Sequence, residues 1–331
     1  MKKVINKTND VVTEMVDGVV AAYPHVIRRL PNTSAVVRTE APIANKVGIV
    51  SGGGSGHEPA HAGYVGKGML DAAVAGEVFT APTPDQILEA MKAVDSGSGV
   101  FLIIKNYTGD IMNFEMAAEL AEAEGIKADY IVVNDDVAVE DSSFTTGRRG
   151  IAGTVLVHKI IGALAENGAA LEEIKRVAEK TVANVRSMGV ALSPSIMPGS
   201  GKASFELDEN EMEIGIGIHG EPGIERKQLA TADELAEELT QHVLGDLSLQ
   251  EGDNIAVMVN GLGATPEMEL YIVNRKVQDI LQKQGMEVVR TFVGDFMTSL
   301  EMAGCSVTIL KLDDELTELL QSEASTPGFH V

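Results

Sequence analysis

A glycine-rich segment followed by a histidine is the part of the sequence best suited to chemistry. Ser51–Gly56 contains four glycines and ends directly before His57, and it follows an apolar run that predicts a buried strand closing on a turn. Glycine allows close approach of the backbone, so N–H groups around Gly54 could hold a small polar ligand. His57 would lie beside that ligand. A purely structural turn is the alternative, and the segment alone does not decide between the two.

Three ligand-binding or catalytic motifs do not fit this segment. A phosphate-binding P-loop needs lysine after its last glycine, and His57 takes that position. A dinucleotide fingerprint that starts at Gly52 would also need glycine at position 57, and one that starts at Gly54 would need it at Pro59. A nucleophilic serine at Ser55 would again need glycine at position 57. A backbone cradle with an adjacent histidine is the reading that remains.

A second group of candidates follows the apolar run Val100–Ile104. Lys105 comes directly after this run, and Asp110 lies in the first turn of the helix predicted next. A first-turn aspartate complements the positive end of a helix, so Asp110 by itself has a structural explanation. Because Asp110 and His57 both follow strands at the same edge of the predicted sheet, they could face one cavity. A carboxylate and an imidazole together suit acid–base catalysis on a hydroxyl group.

His219 is the candidate from the second half of the chain. Isoleucine alternates with glycine or polar residues from Met212 to His219, which predicts a strand with one face in the core. The opposite face carries glycines, so a ligand could approach closely beside His219. A histidine at the end of a strand has a structural explanation as well.

Composition and charge exclude several classes of function. The chain has 331 residues, a formal net charge of −23 and one cysteine, Cys305. The acidic balance argues against nucleic-acid binding, because no basic patch is available to neutralise phosphates. One cysteine excludes disulfides and cysteine-based zinc sites, and this fits a cytoplasmic location. No apolar run is long enough for a membrane span. We expect no metal site, although Asp135 and Asp136 are as consistent with magnesium binding as with a turn.

The elements that must position these residues predict an α/β fold with two domains. Strands and helices alternate up to about Met188, which indicates a three-layer α/β/α domain with a mainly parallel sheet over residues 1–188. Residues 189–331 are expected to form a smaller α/β domain with a mixed sheet. Helix starts are marked by possible capping boxes at Thr83–Gln86 and Thr231–Glu234. The last helix of the first domain is predicted over Leu171–Met188.

Five motifs, in order along the chain, resemble the substrate-binding subunit of dihydroxyacetone kinase. They are Ser51–Pro59, Lys105–Asp110, Gly147–Gly150, Gly215–Gly223 and Asn260–Thr265. The resemblance implies that His219 attacks the carbonyl carbon of dihydroxyacetone and forms a hemiaminal. It implies that the substrate is held by Gly54, His57, Lys105 and Asp110. Asp110 would be the base for the hydroxyl to be phosphorylated, with His57 assisting.

The resemblance also implies the partners of the chain. No P-loop or kinase signature is present, and the length leaves no room for an added nucleotide domain. The resemblance is therefore to the bacterial multi-subunit, phosphoenolpyruvate-dependent form, with no cofactor in this chain. ADP or ATP and Mg²⁺ are expected on a separate nucleotide-binding kinase subunit, recharged by a phosphoryl-carrier protein of the phosphotransferase system. The chain itself is expected to form a homodimer.

Two other functions are compatible with parts of the sequence. A non-catalytic relative could sense dihydroxyacetone and co-activate a transcriptional regulator, keeping the covalent histidine without needing the acid–base pair. The presence of both His57 and Asp110 favours the kinase subunit. A hydrolase that uses Ser55 and His57 is disfavoured, because catalytic triads are assembled from separate segments of a chain.

Overall fold

A computed structural model of the chain describes residues 2–140 and 145–331. The strands are β1 Ile27–Arg29, β2 Ala35–Arg38, β3 Gly48–Ser55, β4 Ala72–Val78, β5 Val100–Lys105, β6 Ala128–Val133, β7 Val185–Ala191, β8 Glu211–Ile214, β9 Glu225–Gln228, β10 Asn254–Gly261, β11 Glu287–Gly294, β12 Gly304–Leu312, β13 Ser325–Thr326 and β14 Phe329–His330. The helices are α1 Val11–Ala22, α2 Pro84–Val94, α3 Thr108–Ala123, α4 Gly153–Glu166, α5 Leu171–Asn184, α6 Ala232–Asp246, α7 Glu267–Lys283 and α8 Asp314–Gln321. The predicted α/β class is confirmed.

The first sheet has the strand order β1-β2-β4-β3-β5-β6. Its strands β4, β3, β5 and β6 are parallel, and β1 and β2 add an antiparallel edge. Successive residues of β5 face opposite layers, as the pleat requires. Phe101 packs in the same core cluster as Val155 of α4, whereas Leu102 packs with Ile87 of α2 and Phe114 of α3. The sheet is therefore covered by helices on both faces.

The glycine-rich segment is part of β3, so the turn predicted after Val50 is wrong. Gly52, Gly53 and Gly54 pair in parallel register with Val74, Ala75 and Gly76 of β4. On the other side β3 pairs with β5 only as far as Ser51. Glycine is a weak strand former, but pairing along β4 overrides its local preference. The end of β3 thus has one free side, next to the segment that carries Lys105 and Asp110.

The second sheet is mixed, as predicted, with the order β11-β10-β12-β7-β8-β9. Only β10 and β11 among these neighbours are parallel. Val257 and Val259 of β10 pack in one cluster with residues of α6 and α7. Met258 of the same strand belongs to a second cluster, which also contains Val155 of α4 and Ile103 of β5. One continuous core therefore joins the two sheets.

Two predicted elements end earlier than their sequence patterns indicated. The helix predicted to Met188 ends at Asn184, and β7 follows at once, so the predicted domain boundary at residue 188 lies within a strand. Antiparallel pairing of β7 with β12 overrides the helical pattern there. The strand predicted to His219 ends at Ile214, because Gly215 has a positive φ of 79° and turns the chain.

One of the two predicted capping boxes forms. Thr231 accepts the backbone N–H of Glu234, and the Glu234 carboxylate accepts the backbone N–H of Thr231. At Thr83 the side chain caps no backbone group, and the Gln86 side chain instead accepts the backbone N–H of Ser34. Within the described residues, no helix combines the length and the apolar composition that crossing a membrane requires.

Candidate functional site

A cavity of about 610 Å³ lies at the carboxyl edge of the first sheet, facing the loop after β8. Three of the residues predicted from the sequence line it, namely Gly54, Asp110 and His219. Phe79, at the exit of β4, and Tyr107, before α3, also line it. The ring of Tyr107 meets the His219 ring edge-on, with centroids 4.5 Å apart. Residues distant in sequence thus build one polar and aromatic pocket.

His219 is oriented by a buried carboxylate two residues away. The His219 Nδ1 atom lies 2.8 Å from Glu221 Oε1, and the His219 backbone N–H donates to Glu221 Oε2. Burial would raise the pKa of Glu221, but the His219 imidazole and hydrogen bonds outweigh burial and lower this pKa to about 2. An ionised carboxylate only accepts, so His219 Nδ1 carries a proton, and in the neutral form of the ring Nε2 has a lone pair. A neutral Nε2 is nucleophilic.

The loop that carries His219 is tied to the first sheet by Arg149. This buried guanidinium donates to the Gly215 carbonyl at 2.6 Å and to the Pro222 carbonyl at 3.2 Å. It also forms an ion pair of 2.7 Å with Asp136, which follows β6. Burial raises the pKa of Asp136 to about 6, against the opposing effect of Arg149. Arg149 is part of the sequence motif Gly147–Gly150, but the contacts that give it a role are visible only in the tertiary structure.

Asp135 and Asp136 have structural partners. Asp135 accepts the backbone N–H groups of Ile151 and Gly153, both at 2.8 Å, and so holds the start of α4. Asp136 is occupied by Arg149. Within residues 2–140 and 145–331, no group of three or more His, Cys, Asp and Glu side chains could hold a metal ion.

Lys105 lies behind the cavity wall. Its Nζ atom is 3.1 Å from the Gly52 carbonyl, 3.3 Å from Asp110 Oδ2 and 3.0 Å from His61 Nε2. The side chain is buried, and it is absent from the residues that line the cavity. Lys105 therefore contacts Asp110 rather than the cavity itself. Sequence reasoning missed His61, although it stands four residues after His57.

His57 also lies behind the wall, against His219 and Phe79. Its ring stacks on Phe79, with centroids 5.1 Å apart, and meets the His219 ring edge-on at 4.9 Å. His57 Nδ1 donates to the Thr298 carbonyl at 2.7 Å, because a carbonyl can only accept, so Nε2 of His57 keeps a lone pair. That Nε2 atom is buried and has no partner among the described residues. Burial, together with His219 and Lys105, lowers the pKa of His57 well below its ordinary value.

The structure thus brings the five predicted residues together in two layers. Gly54, Asp110 and His219 line the cavity, and His57 and Lys105 support those residues from behind. Their chemical roles remain predictions.

A family comparison decides the relationship of the chain. The Dak1 domain model matches residues 17–328. The chain belongs to the Dak1 domain family. The resemblance to dihydroxyacetone kinases that the five motifs indicated is confirmed.

Individual relatives match over nearly the whole chain. The dihydroxyacetone-binding subunit of PTS-dependent dihydroxyacetone kinase 1 from Listeria innocua is 58% identical over 95% of this chain and 95% of its own length. A solved dihydroxyacetone kinase operon co-activator is 39% identical, with a TM-score of 0.89, over 96% of this chain and 97% of that one. The dihydroxyacetone kinase of C. freundii, solved with AMP-PNP and Mg²⁺, is 36% identical, with a TM-score of 0.92, over 99% of this chain but 61% of that one.

Proposed function

We propose that this chain is the dihydroxyacetone-binding subunit of a multi-subunit dihydroxyacetone kinase. It captures the ketone at His219 and presents a substrate hydroxyl for phosphoryl transfer to give dihydroxyacetone phosphate, a phosphotransferase reaction with an alcohol acceptor. The observation that carries the proposal is the His219–Glu221 pair on the wall of a cavity that Asp110 also lines.

The capture step follows from the hydrogen bonds of His219. Its Nε2 lone pair forms a bond to the carbonyl carbon, the C=O π electrons move to oxygen, and that oxygen takes up a proton from solvent. The ring releases its Nδ1 proton to Glu221, which returns one proton to solvent, so the sum is an addition without loss of water. A three-carbon ligand offers little surface for tight binding, and glycerol has no carbonyl group to react. Covalent capture therefore selects by functional group.

The transfer step needs a base beside the substrate hydroxyl. Asp110 lies on the cavity wall, and Lys105 holds its Oδ2 atom from behind. A carboxylate in this position accepts the hydroxyl proton as the oxygen attacks phosphorus. We assign His57 an assisting role, because it is a buried neutral imidazole with a free lone pair directly behind His219.

The phosphoryl donor is assigned to a partner. The C. freundii kinase was solved with AMP-PNP and Mg²⁺, and this chain matches 61% of that longer chain. We infer that ADP or ATP and Mg²⁺ are held by a separate nucleotide-binding kinase subunit, which delivers the phosphoryl group. The names of the Listeria relative and of an Escherichia coli relative, 44% identical, specify PTS or PEP dependence, which supports recharging by a phosphoryl-carrier protein. A cytoplasmic homodimer completes the proposal.

A second function is supported by the solved co-activator, which is 39% identical to this chain. A sensor of dihydroxyacetone needs the covalent His219 but does not need the acid–base pair. Retention of Asp110 on the cavity wall favours the kinase subunit.

The test is native mass spectrometry after incubation with dihydroxyacetone. Wild type is expected to gain one intact substrate mass, and His219→Ala is expected to gain none. His25→Ala, at an exposed histidine, is the matched control and should behave as wild type. Phosphoryl transfer with the nucleotide subunit completes the experiment. An adduct on neither wild type nor control would exclude covalent capture, and an adduct without turnover would favour the sensor.

A further inference from the structure

Three buried side chains behind the cavity wall form a hydrogen-bonded series. Lys105 Nζ lies 3.0 Å from His61 Nε2, and His61 Nδ1 lies 2.9 Å from His158 Nε2. All three residues are buried. His61 comes from the turn after β3, and His158 comes from the middle of α4. We call Lys105, His61 and His158 the buried series.

Proton positions along the buried series follow from its first member. A lysine ammonium can only donate, so His61 Nε2 accepts and the His61 proton is on Nδ1. That Nδ1–H donates to His158 Nε2, which places the His158 proton on its own Nδ1. His158 Nδ1 is buried, with no hydrogen-bond partner among the described residues. Both rings are therefore neutral, and each has one compatible tautomer.

The surroundings keep both rings neutral. Burial, then Lys105 and the neighbouring histidines, lowers the pKa of His61 well below its ordinary value. Burial and Lys105 lower the pKa of His158 to about 3. A second positive charge beside Lys105 would have neither solvent nor a carboxylate of its own to stabilise it. The buried series therefore acts through hydrogen-bond geometry rather than through a change of charge.

The ammonium of Lys105 has three polar neighbours. It donates to the Gly52 carbonyl and to His61 Nε2, and it forms an ion pair of 3.3 Å with Asp110 Oδ2. The Cβ of any larger residue at Gly53 would collide with Nζ, so the strand also confines this group. Loss of the His61 acceptor would leave one buried N–H of Lys105 unpaired. The ammonium would then move toward another acceptor and away from Asp110.

We propose that His61 is a positioning residue that holds Lys105 against Asp110 and so orients the carboxylate that receives the substrate proton, and that His158 fixes the tautomer in which the His61 ring accepts from Lys105. This inference rests on the proposed function. It extends the site by two residues that touch no substrate, and it assigns Lys105 a supporting role.

Two amide substitutions at His61 separate the two contacts of its ring. The amide of glutamine reaches the position of Nε2, so His61→Gln keeps an acceptor for Lys105 and loses the link to His158. The amide of asparagine reaches the position of Nδ1, so His61→Asn keeps the link to His158 and loses the acceptor for Lys105. We expect His61→Asn to lower kcat by about 10- to 100-fold, since small misplacements of a catalytic group cost that much. His61→Gln should retain most of kcat.

The readouts are kcat and KM with the nucleotide subunit, the native-mass adduct with dihydroxyacetone, and the thermal midpoint. Both variants should keep the adduct, because His219 lies outside the buried series, and their midpoints should fall by similar amounts. His25→Asn, at an exposed histidine, controls for the substitution itself. Equal kcat values for the two His61 variants would overturn the inference. Absence of adduct and turnover in wild type would overturn the proposed function and this inference with it.

Discussion

Two histidines of the site are held in the same tautomer by different acceptors, and the difference separates their chemistry. His219 donates its Nδ1 proton to the Glu221 carboxylate, whereas His57 donates to the Thr298 carbonyl. A carboxylate stabilises the positive charge that develops when an imidazole attacks carbon, and a neutral carbonyl does so far less. His219 is also partly exposed, and His57 is fully buried. The residue environments therefore favour His219 rather than His57 as the nucleophile.

At the residue scale, Asp110→Asn should separate binding from catalysis. The amide can still hydrogen bond Lys105, but it cannot accept the substrate proton. We expect the adduct with dihydroxyacetone to persist while turnover falls by about 10²- to 10⁴-fold, the usual contribution of a positioned base. Native mass spectrometry and coupled phosphoryl-transfer assays measure the two effects.

Asp85→Asn is the matched control for this change. Asp85 occupies the first turn of α2, as Asp110 does in α3, but it is exposed and outside the cavity. Both variants should lose a similar, small stabilisation from the helix dipole. Equal turnover in the two variants would show that Asp110 has only a structural role at the start of α3.

At the element scale, the free end of β3 shapes the cavity. Gly54 lines the cavity and packs against the chain that leaves β4. A Cβ at this position would lie 2.5 Å from the Thr80 backbone nitrogen and 2.7 Å from the Phe79 backbone. The neighbours are backbone atoms, so they cannot move aside as a flexible side chain would. Glycine here permits the close approach of two segments that both form the wall.

Gly54→Ala is therefore expected to displace Phe79 and weaken both the fold and substrate capture. We expect a loss of roughly 2 kcal/mol in the free energy of unfolding, as for overpacking of a well-packed core, and a smaller adduct fraction. Urea denaturation and native mass spectrometry test the two effects.

Gly18→Ala provides the opposite expectation for the same substitution. Gly18 lies within α1, and apart from the adjacent helix backbone no heavy atom of the described residues lies within 4 Å of a Cβ placed there. Alanine should stabilise the chain by about 0.5 to 1 kcal/mol there, because it restricts the unfolded backbone. A destabilising effect of equal size at both positions would contradict the argument from packing.

At the scale of the whole molecule, contacts between the two halves hold the site together. The Thr298 and Leu300 backbone N–H groups donate to the carbonyls of His57 and Gly56, which precede them by more than 240 residues. The buried Lys159 of α4 donates to the Leu319 carbonyl of α8 at 2.7 Å. Burial, with no carboxylate partner among the described residues, lowers the pKa of Lys159 to about 8 from its ordinary 10.5.

This buried lysine predicts a pH dependence of stability. Between pH 8 and 10.5 the unfolded chain keeps the Lys159 proton and the native chain releases it, so stability rises with pH in this window. Lys159→Met should remove that rise, which we expect to be on the order of 2 kcal/mol. Urea denaturation at pH 7, 9 and 10 measures the difference between the two proteins.

Lys283→Met, at an exposed position, controls for loss of a lysine. The difference between this variant and wild type should stay nearly constant with pH across the window. A constant difference for Lys159→Met as well would show that the native state keeps Lys159 protonated throughout.

The sequence by itself determined the class of fold and much of the site. Buried apolar runs such as Val100–Ile104 have few alternatives to a central strand, because their hydrophobic pattern is local. The Thr231 capping box forms for the same reason, since all its partners lie within four residues. Asp110 and His219 were identified from residue type and from family motifs, and both line the cavity.

Only the tertiary structure decided which of the candidate residues line the cavity and which lie behind its wall. β3 extends through the glycines because it pairs with β4. β7 takes the place of the predicted end of a helix because it pairs with β12. Arg149 reaches the His219 loop, and His61 reaches Lys105, across separations that no local pattern records. Burial and hydrogen-bond direction arise from chain segments that meet only on folding, so these roles could not be read before the fold was known.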